Sequence, residues 1–359
     1  MFIQRKSYLG TYKKTVSYVF AVLFFVSGIY SCTSNYPSQF GLPPAPAPPT
    51  PTPQSDSAKN CPCPTATPAS STTSAPAQPA EPDTLRVPAP RFSPDGGTFY
   101  MSTDVQLAAD SLPPQAVIEY SLDDGASWQS GSKFTLTTGG KILTRIRAGT
   151  KHSGSRSASF NLYFKRMLII GNSIMSHAPA PDLGWYNFNG MAASAPDKDF
   201  VHLLTANLQS LYPALTVKLQ SGGNFEQQFG KPDYSVDEFN AVLQDVKPDL
   251  IIVRIGENMD DNQAASRNLE GQFRLLLDKL ANYGQPVRIV CTTSVWYKPN
   301  YDAIVRKIVP EKGHTLVDLG SMVGQAKCFA SEYKNPGVAA HPNDVGMQYI
   351  ADMIWQKLR

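Results

Sequence analysis

The chain has 359 residues, enough for about two domains of ordinary size. Its 32 Lys and Arg outnumber 29 Asp and Glu, but Arg5, Lys6, Lys13 and Lys14 all precede the first carboxylate, Asp56. From residue 32 onward the balance is near neutral, at −1, which excludes the basic patch that a nucleic-acid partner would need.

The N-terminal basic residues lead into an apolar run, Val16 to Ile29, shorter than the about 20 residues of a membrane span. The run ends in Ile29-Tyr30-Ser31-Cys32, which resembles the cleavage box of a bacterial lipoprotein signal peptide over residues 1–31. That resemblance implies an exported chain carrying a lipid on Cys32, held by it to a membrane of the bacterial cell envelope, at the outer membrane or cell surface. An ordinary signal peptide or a single anchor helix are the alternatives. Residues 32–90 form a Pro-rich linker: 16 of the 30 prolines fall there among Ala, Ser and Thr, a composition that cannot bury a core. Cys61-Pro62-Cys63 lies inside it without a second Cys or His cluster to complete a zinc site. Cys291 and Cys328 fall near the C-terminus, where an exported chain can pair them or bury them as free thiols.

From 91 to 164 short β-rich runs alternate with turn signals. The runs are Gly97-Thr-Phe-Tyr, Val105-Gln-Leu, Val117-Ile-Glu-Tyr-Ser, Phe134-Thr-Leu-Thr, Ile142-Leu-Thr-Arg-Ile-Arg and Ala158-Ser-Phe-Asn-Leu-Tyr-Phe. Their spacing predicts a small antiparallel β-sandwich. Ser93-Pro-Asp-Gly-Gly-Thr-Phe and Ile118-Glu-Tyr-Ser-Leu-Asp-Asp-Gly-Ala-Ser-Trp resemble the C-terminal sandwich module of chitobiase-type glycosidases. Trp128 reads first as a core residue and second as a platform for a sugar ring.

Residues 166–359 change period again. Strands are expected at Met167-Leu-Ile-Ile, Leu215-Thr-Val-Lys-Leu, Leu250-Ile-Ile-Val-Arg-Ile, Val287-Arg-Ile-Val and Thr315-Leu-Val-Asp-Leu. Helices are expected near 199–211, 235–245, 266–282, 299–311 and 344–358. The alternation predicts an α/β domain: a parallel sheet covered on both faces, three layers in all. Ligands of such sheets lie beyond the carboxyl ends of the strands.

Four short blocks fall at those ends. Gly171-Asn172-Ser173-Ile174 follows the first strand and places a hydroxyl where it can attack a carbonyl if a base is near. Ser221-Gly222-Gly223-Asn224 follows the second, with glycine N–H groups able to meet an oxyanion. Ile255-Gly256-Glu257-Asn258 follows the third and offers a side-chain amide. His341-Pro342-Asn343-Asp344 precedes the last helix, with Asn343 or Asp344 as its cap.

In this order the blocks resemble the SGNH (GDSL-type) hydrolase family over about 166–358. The resemblance implies a carboxylic ester hydrolase with Ser173 as nucleophile and His341 as general base. Ser173, Gly223 (or Gly222) and Asn258 would form the oxyanion hole. Two positions depart from the family pattern. Asn172 stands where an Asp usually precedes the Ser. Val338 stands where an Asp usually lies three residues before the His, so a backbone carbonyl or another acid, Glu257 or Asp344 being nearest in sequence, must orient the imidazole. Asp199 and His202 share the Asp-x-x-His spacing but fall in a helix and read as structural. The long loop 178–195 carries Trp185, Tyr186 and Phe188, which can stack a sugar ring or pack the loop down; Trp185, Tyr186 and Glu257 are the candidate substrate contacts. The loop and Ile255-Gly-Glu-Asn resemble secreted bacterial SGNH proteins of polysaccharide-degrading systems, which implies an acylated, chiefly acetylated, carbohydrate as substrate. An acyltransferase on the same fold and a degenerate glycan-binding module are the rival readings. No cofactor is implied, and no His/Asp cluster has metal-ligand spacing.

Overall fold

The computed structural model describes residues 84–359. The expected signal, Cys32, Cys61 and Cys63 lie outside the described residues.

The sandwich is built from β1 (Arg91–Ser93), β2 (Gly97–Tyr100), β3 (Thr103–Ala108), β4 (Val117–Ser121), β5 (Gln129–Ser130), β6 (Lys133–Leu136), β7 (Gly140–Ala148), β8 (Lys151–His152) and β9 (Arg156–Tyr163). One sheet runs β1-β3-β6 and the other β2-β9-β7-β4-β5, with β8 on β7. Strand alternation makes the core: Ile142, Thr144 and Ile146 of β7 and Ala158, Phe160 and Leu162 of β9 turn inward. Of these, Ile142, Ala158 and Phe160 meet Phe92, Val105, Leu107 and Leu136 from the facing sheet. Two expectations are corrected. The sandwich is not wholly antiparallel, because β2 pairs with β9 in parallel. The chain leaves β1 for the other sheet through Gly96 and Gly97, whose φ of 83° and 132° suit glycine, and β2 enters along the far edge. Trp128 is half-exposed rather than core, with the Arg145 guanidinium 3.9 Å from its ring centroid.

The second domain holds β10 (Arg166–Gly171), β11 (Thr216–Ser221), β12 (Leu250–Arg254), β13 (Arg288–Thr292) and β14 (Thr315–Val317). All pair in parallel, in the order β11-β10-β12-β13-β14. Helices α1 (Phe200–Leu211), α2 (Gly223–Gln228), α3 (Asn240–Val246), α4 (Leu269–Ala281), α5 (Pro299–Glu311), α6 (Pro336–Ala339) and α7 (Asp344–Leu358) complete it. The run Met167-Leu-Ile-Ile is apolar throughout because both faces of the sheet are covered. Met167 and Ile169 pack with Phe200, Leu204, Ile350 and Ile354 on one face. Leu168 and Ile170 pack with Phe225, Phe273, Leu276 and Val305 on the other. The result is the expected three-layer α/β/α arrangement. The short helices α2 and α6 were not expected, and the helix expected from 235 begins as a 3-10 turn over Val236–Phe239, capped by Ser235.

Two features of this layout position the site. β11 and β12 flank β10 on opposite sides, so the winding reverses there and opens a crevice beyond its carboxyl end. At the amino end, buried Asp249 joins the parallel sheet to the sandwich. Its carboxylate accepts from the Lys165 N–H at 3.0 Å, the Arg166 N–H at 2.9 Å and the Tyr100 hydroxyl at 2.8 Å. Burial and this carboxylate push the Tyr100 phenol up to about 12. Tyr163 stacks on Tyr212 across the same joint, with centroids 5.0 Å apart.

Candidate active site

β10 delivers Ser173 into the crevice, and the loop between α6 and α7 delivers His341. The Ser173 Oγ lies 2.7 Å from His341 Nε2. The other ring nitrogen, Nδ1, lies 2.7 Å from the Gly337 carbonyl oxygen. A carbonyl can only accept, so Nδ1 carries the proton and Nε2 is left to accept from the serine hydroxyl. Gly337 is held by α6, a single turn begun by Pro336 and capped by the Asn335 side chain, which accepts from the N–H groups of Gly337 and Val338. Val338, at the position where a carboxylate was sought, points away from the imidazole into an apolar cluster with Trp185, Met191, Ala192 and Ala330. A carboxylate there would be buried without a partner. The imidazole is 6 % exposed, and Trp296 packs edge-on against it at 5.5 Å while donating its indole N–H to the Ala340 carbonyl. Burial lowers the His341 pKa below 6.5, opposed by the Gly337 carbonyl, so the ring is neutral near pH 7.

Around the serine, three N–H groups differ in what they already bond. Among the described residues no acceptor meets the Ser173 N–H. The Gly222 N–H is committed to the Gly171 carbonyl at 2.7 Å, whereas the Gly223 N–H meets only the Ser221 hydroxyl at 3.2 Å. Asn258 is exposed at the end of the third block, and one hydrogen of its amide goes to Glu226 Oε2 at 2.9 Å. The turn that brings it there requires Gly256, whose φ is 128° and whose added Cβ would lie 2.3 Å from the Tyr301 ring.

Beneath these groups lies a buried polar cluster. Asn172 donates to Glu257 Oε2 at 2.7 Å and to Glu226 Oε1 at 3.1 Å, and accepts from Arg254 at 3.1 Å. Arg254 pairs with Glu257 at 2.8 Å, both fully enclosed. Burial works against the Glu257 charge, yet Arg254 and the Asn172 and Val295 N–H donors hold its pKa below the ordinary value. Burial and the Glu257 charge raise that of Glu226.

Two expected substrate contacts are therefore corrected. Glu257 is 3 % exposed, and Arg254, Asn172, Ser294 and Val295 all donate to it, so it supports the crevice floor rather than facing it. Trp185 is 1 % exposed and packs the 178–195 loop down, its indole N–H donating to the His177 carbonyl. Tyr186 remains on the surface at 70 % exposure, beside Phe188. Neither nearest acid reaches the imidazole. Asp344 accepts from the Ser194 N–H and hydroxyl, while Asn343 caps α7. Asp199 caps α1 and holds His202 Nδ1 at 2.8 Å, so this pair is structural, as its helix placement predicts. Cys291 and Cys328 are separate buried thiols.

Sequence reasoning missed Arg254, Glu226 and Trp296, and it allowed a backbone carbonyl as the partner of the imidazole without identifying that of Gly337. Arg254 carried a signal: a charge ending an otherwise apolar strand needs a buried partner. Glu226 lies two residues beyond the second block. Among the described residues no group of three His, Cys, Asp or Glu side chains converges to hold a metal ion.

No protein-family model matches the chain, and no curated protein matches it. Solved structures to which the chain is similar include esterases. A two-domain esterase active on acetylated mannans, co-crystallised with mannopentaose, is 19 % identical, with a TM-score of 0.37 over 54 % of this chain and 48 % of that one. This chain thus spans about half the length of that esterase. A psychrotrophic esterase from Pseudoalteromonas sp. is 13 % identical over 54 % of this chain and 96 % of its own, with a TM-score of 0.34. A family 3 carbohydrate esterase from Clostridium thermocellum is 14 % identical over 54 % and 94 %, with a TM-score of 0.36.

Proposed function

We propose that residues 166–359 form a serine ester hydrolase of the SGNH type, and the observation that carries this is the Ser173–His341–Gly337 chain of hydrogen bonds. The Ser173 oxygen attacks the acyl carbon as its proton passes to His341 Nε2. The developing oxyanion is met by the N–H groups of Ser173 and Gly223 and the free amide hydrogen of Asn258. Collapse returns the proton to the departing alcohol oxygen and leaves an acyl-serine, which water attacks by the same route in reverse. The base is a Ser–His dyad, its imidazole oriented by a carbonyl rather than a carboxylate. Labelling with a p-nitrophenyl phosphonate tests this directly. The phosphonyl mass is expected on the peptide containing Ser173, and a label only elsewhere would overturn the reading.

The substrate we propose is an acylated, chiefly acetylated, carbohydrate. Tyr186 lies on the loop tied to the serine by the Met191 N–H to Ser173 carbonyl bond, and Tyr297, 79 % exposed, follows the Trp296 that packs on His341. Such rims suit the apolar faces of sugar rings. Acetate released from acetylated oligosaccharides supports hydrolysis, and acetyl transfer to an added sugar in preference to water supports the transferase reading instead. We also propose export and lipid attachment at Cys32. Loss of detergent-phase partitioning in Cys32→Ala is the expected result, and unchanged partitioning would contradict it.

The pH profile follows from the enclosed imidazole. Only neutral His341 accepts the serine proton, so the rate falls as pH drops through its lowered pKa. The acid limb of kcat/KM should therefore reach half-height below 6.5, the ordinary histidine value. A midpoint above 6.5 would mean that burial does not govern this group.

A further inference from the structure

Glu226 is a buried carboxylate that the mechanism above does not use, and its partners come from each segment that builds the oxyanion site. Its Oε1 accepts from Asn172 Nδ2, next to the nucleophile, and from the backbone N–H groups of Gly256 and Asn258 at 2.7 and 3.2 Å. Its Oε2 accepts from Asn258 Nδ2 at 2.9 Å. Glu226 itself rides on α2, whose first residue is Gly223, and its own N–H is anchored to the Gly222 carbonyl at 3.0 Å.

The side-chain bond has a chemical consequence. An Asn amide can present either its oxygen or its nitrogen toward a neighbour. A carboxylate accepts and cannot donate, so it selects the nitrogen, and the second amide hydrogen is then carried on the remaining side of a fixed plane. Without an acceptor at Oε2, the amide loses the bond that selects its orientation, and the flipped form would turn an oxygen lone pair toward the developing oxyanion.

We propose that Glu226 is a positioning residue that sets the rotamer and flip state of the Asn258 amide. This rests on the hydrolase reading, with Asn258 as an oxyanion donor. Its distinguishing property is that it acts through Asn258, so its effect depends on that side chain being present.

The test is a double-mutant cycle of Glu226→Gln and Asn258→Ala on p-nitrophenyl acetate, with Ser173→Ala as reference. Gln is isosteric, but its amide has a single accepting oxygen, which cannot serve both the Asn258 amide and the backbone donors. Glu226→Gln alone should lower kcat by about 10- to 100-fold, with KM changed by less than about threefold. In the Asn258→Ala background the same change should cost less than about threefold. An equal cost in both backgrounds, or a loss confined to KM, would overturn the positioning role. If Glu226→Gln fails to fold, Glu226→Asp runs the same cycle: it keeps the charge and draws it back from Asn258 by one methylene. Undiminished activity in Ser173→Ala would instead overturn the underlying hydrolase reading, so the two failures are separable.

Discussion

Ser173→Ala should lower kcat/KM for an acetyl ester by about 10⁴-fold or more while leaving the fold intact. The magnitude follows from removing the atom that forms the covalent intermediate, since what is left is binding and oxyanion stabilisation alone. The stability expectation follows from the local geometry. Among the described residues the Ser173 hydroxyl bonds only His341, and its side chain is not part of either apolar core flanking the parallel sheet. Unfolding free energy should shift by less than about 1 kcal/mol. His341→Ala should lose nearly as much activity, and the double variant little more than either single, because the pair acts as one unit. Steady-state kinetics with urea denaturation checks both halves. A tenth of wild-type activity surviving in Ser173→Ala would rule this serine out as the nucleophile.

Arg254→Met should destabilise the protein by about 3–5 kcal/mol, the usual cost of breaking a fully buried ion pair from one side. Arg254 is the cation among the buried groups around Asn172, where Glu257 and Glu226 supply two carboxylates. Met fills much of the volume but leaves Glu257 enclosed without its counter-charge. The sign of the pH dependence is fixed by the same argument. Losing the cation raises the carboxylate pKa values in the folded state above their unfolded values. Stability is then best retained at low pH, where those groups are protonated in both states, and is lost as pH rises through the raised values. The deficit relative to wild type should thus be smaller at pH 5 than at pH 8. Urea unfolding at the two pH values measures it, and a loss under about 1 kcal/mol at pH 8 would show that the cluster does not depend on Arg254.

The parts of this molecule that the sequence reveals are those set by short-range pattern. Met167-Leu-Ile-Ile and Leu250-Ile-Ile-Val announce strands covered on both faces, and α5 and α7 run over the expected residues because Pro299 and Asn343 mark their starts. Ser173 and His341 are 168 positions apart, yet each was legible as a residue at a strand end or helix start. Which backbone carbonyl holds the imidazole was not legible. A carbonyl has no side-chain signature, and the one that serves here depends on a single helical turn set by Asn335 and Pro336. Trp185 and Glu257 misled for the opposite reason. Their residue types suit a binding surface, and only the packing of the 178–195 loop and the presence of Arg254 draw them inside. The parallel pairing of β2 with β9 joins residues about 60 positions apart and leaves no local mark.

The Asp249 joint also has a mechanical meaning. It grips the sheet where β10 and β12 begin, whereas the reactive groups follow where those strands finish, about 20 Å away along a six-residue strand. A force or torque arriving through the sandwich is therefore delivered to the stiffest part of the sheet, along hydrogen-bonded strands, and not to the loops that hold Ser173 and His341 at 2.7 Å.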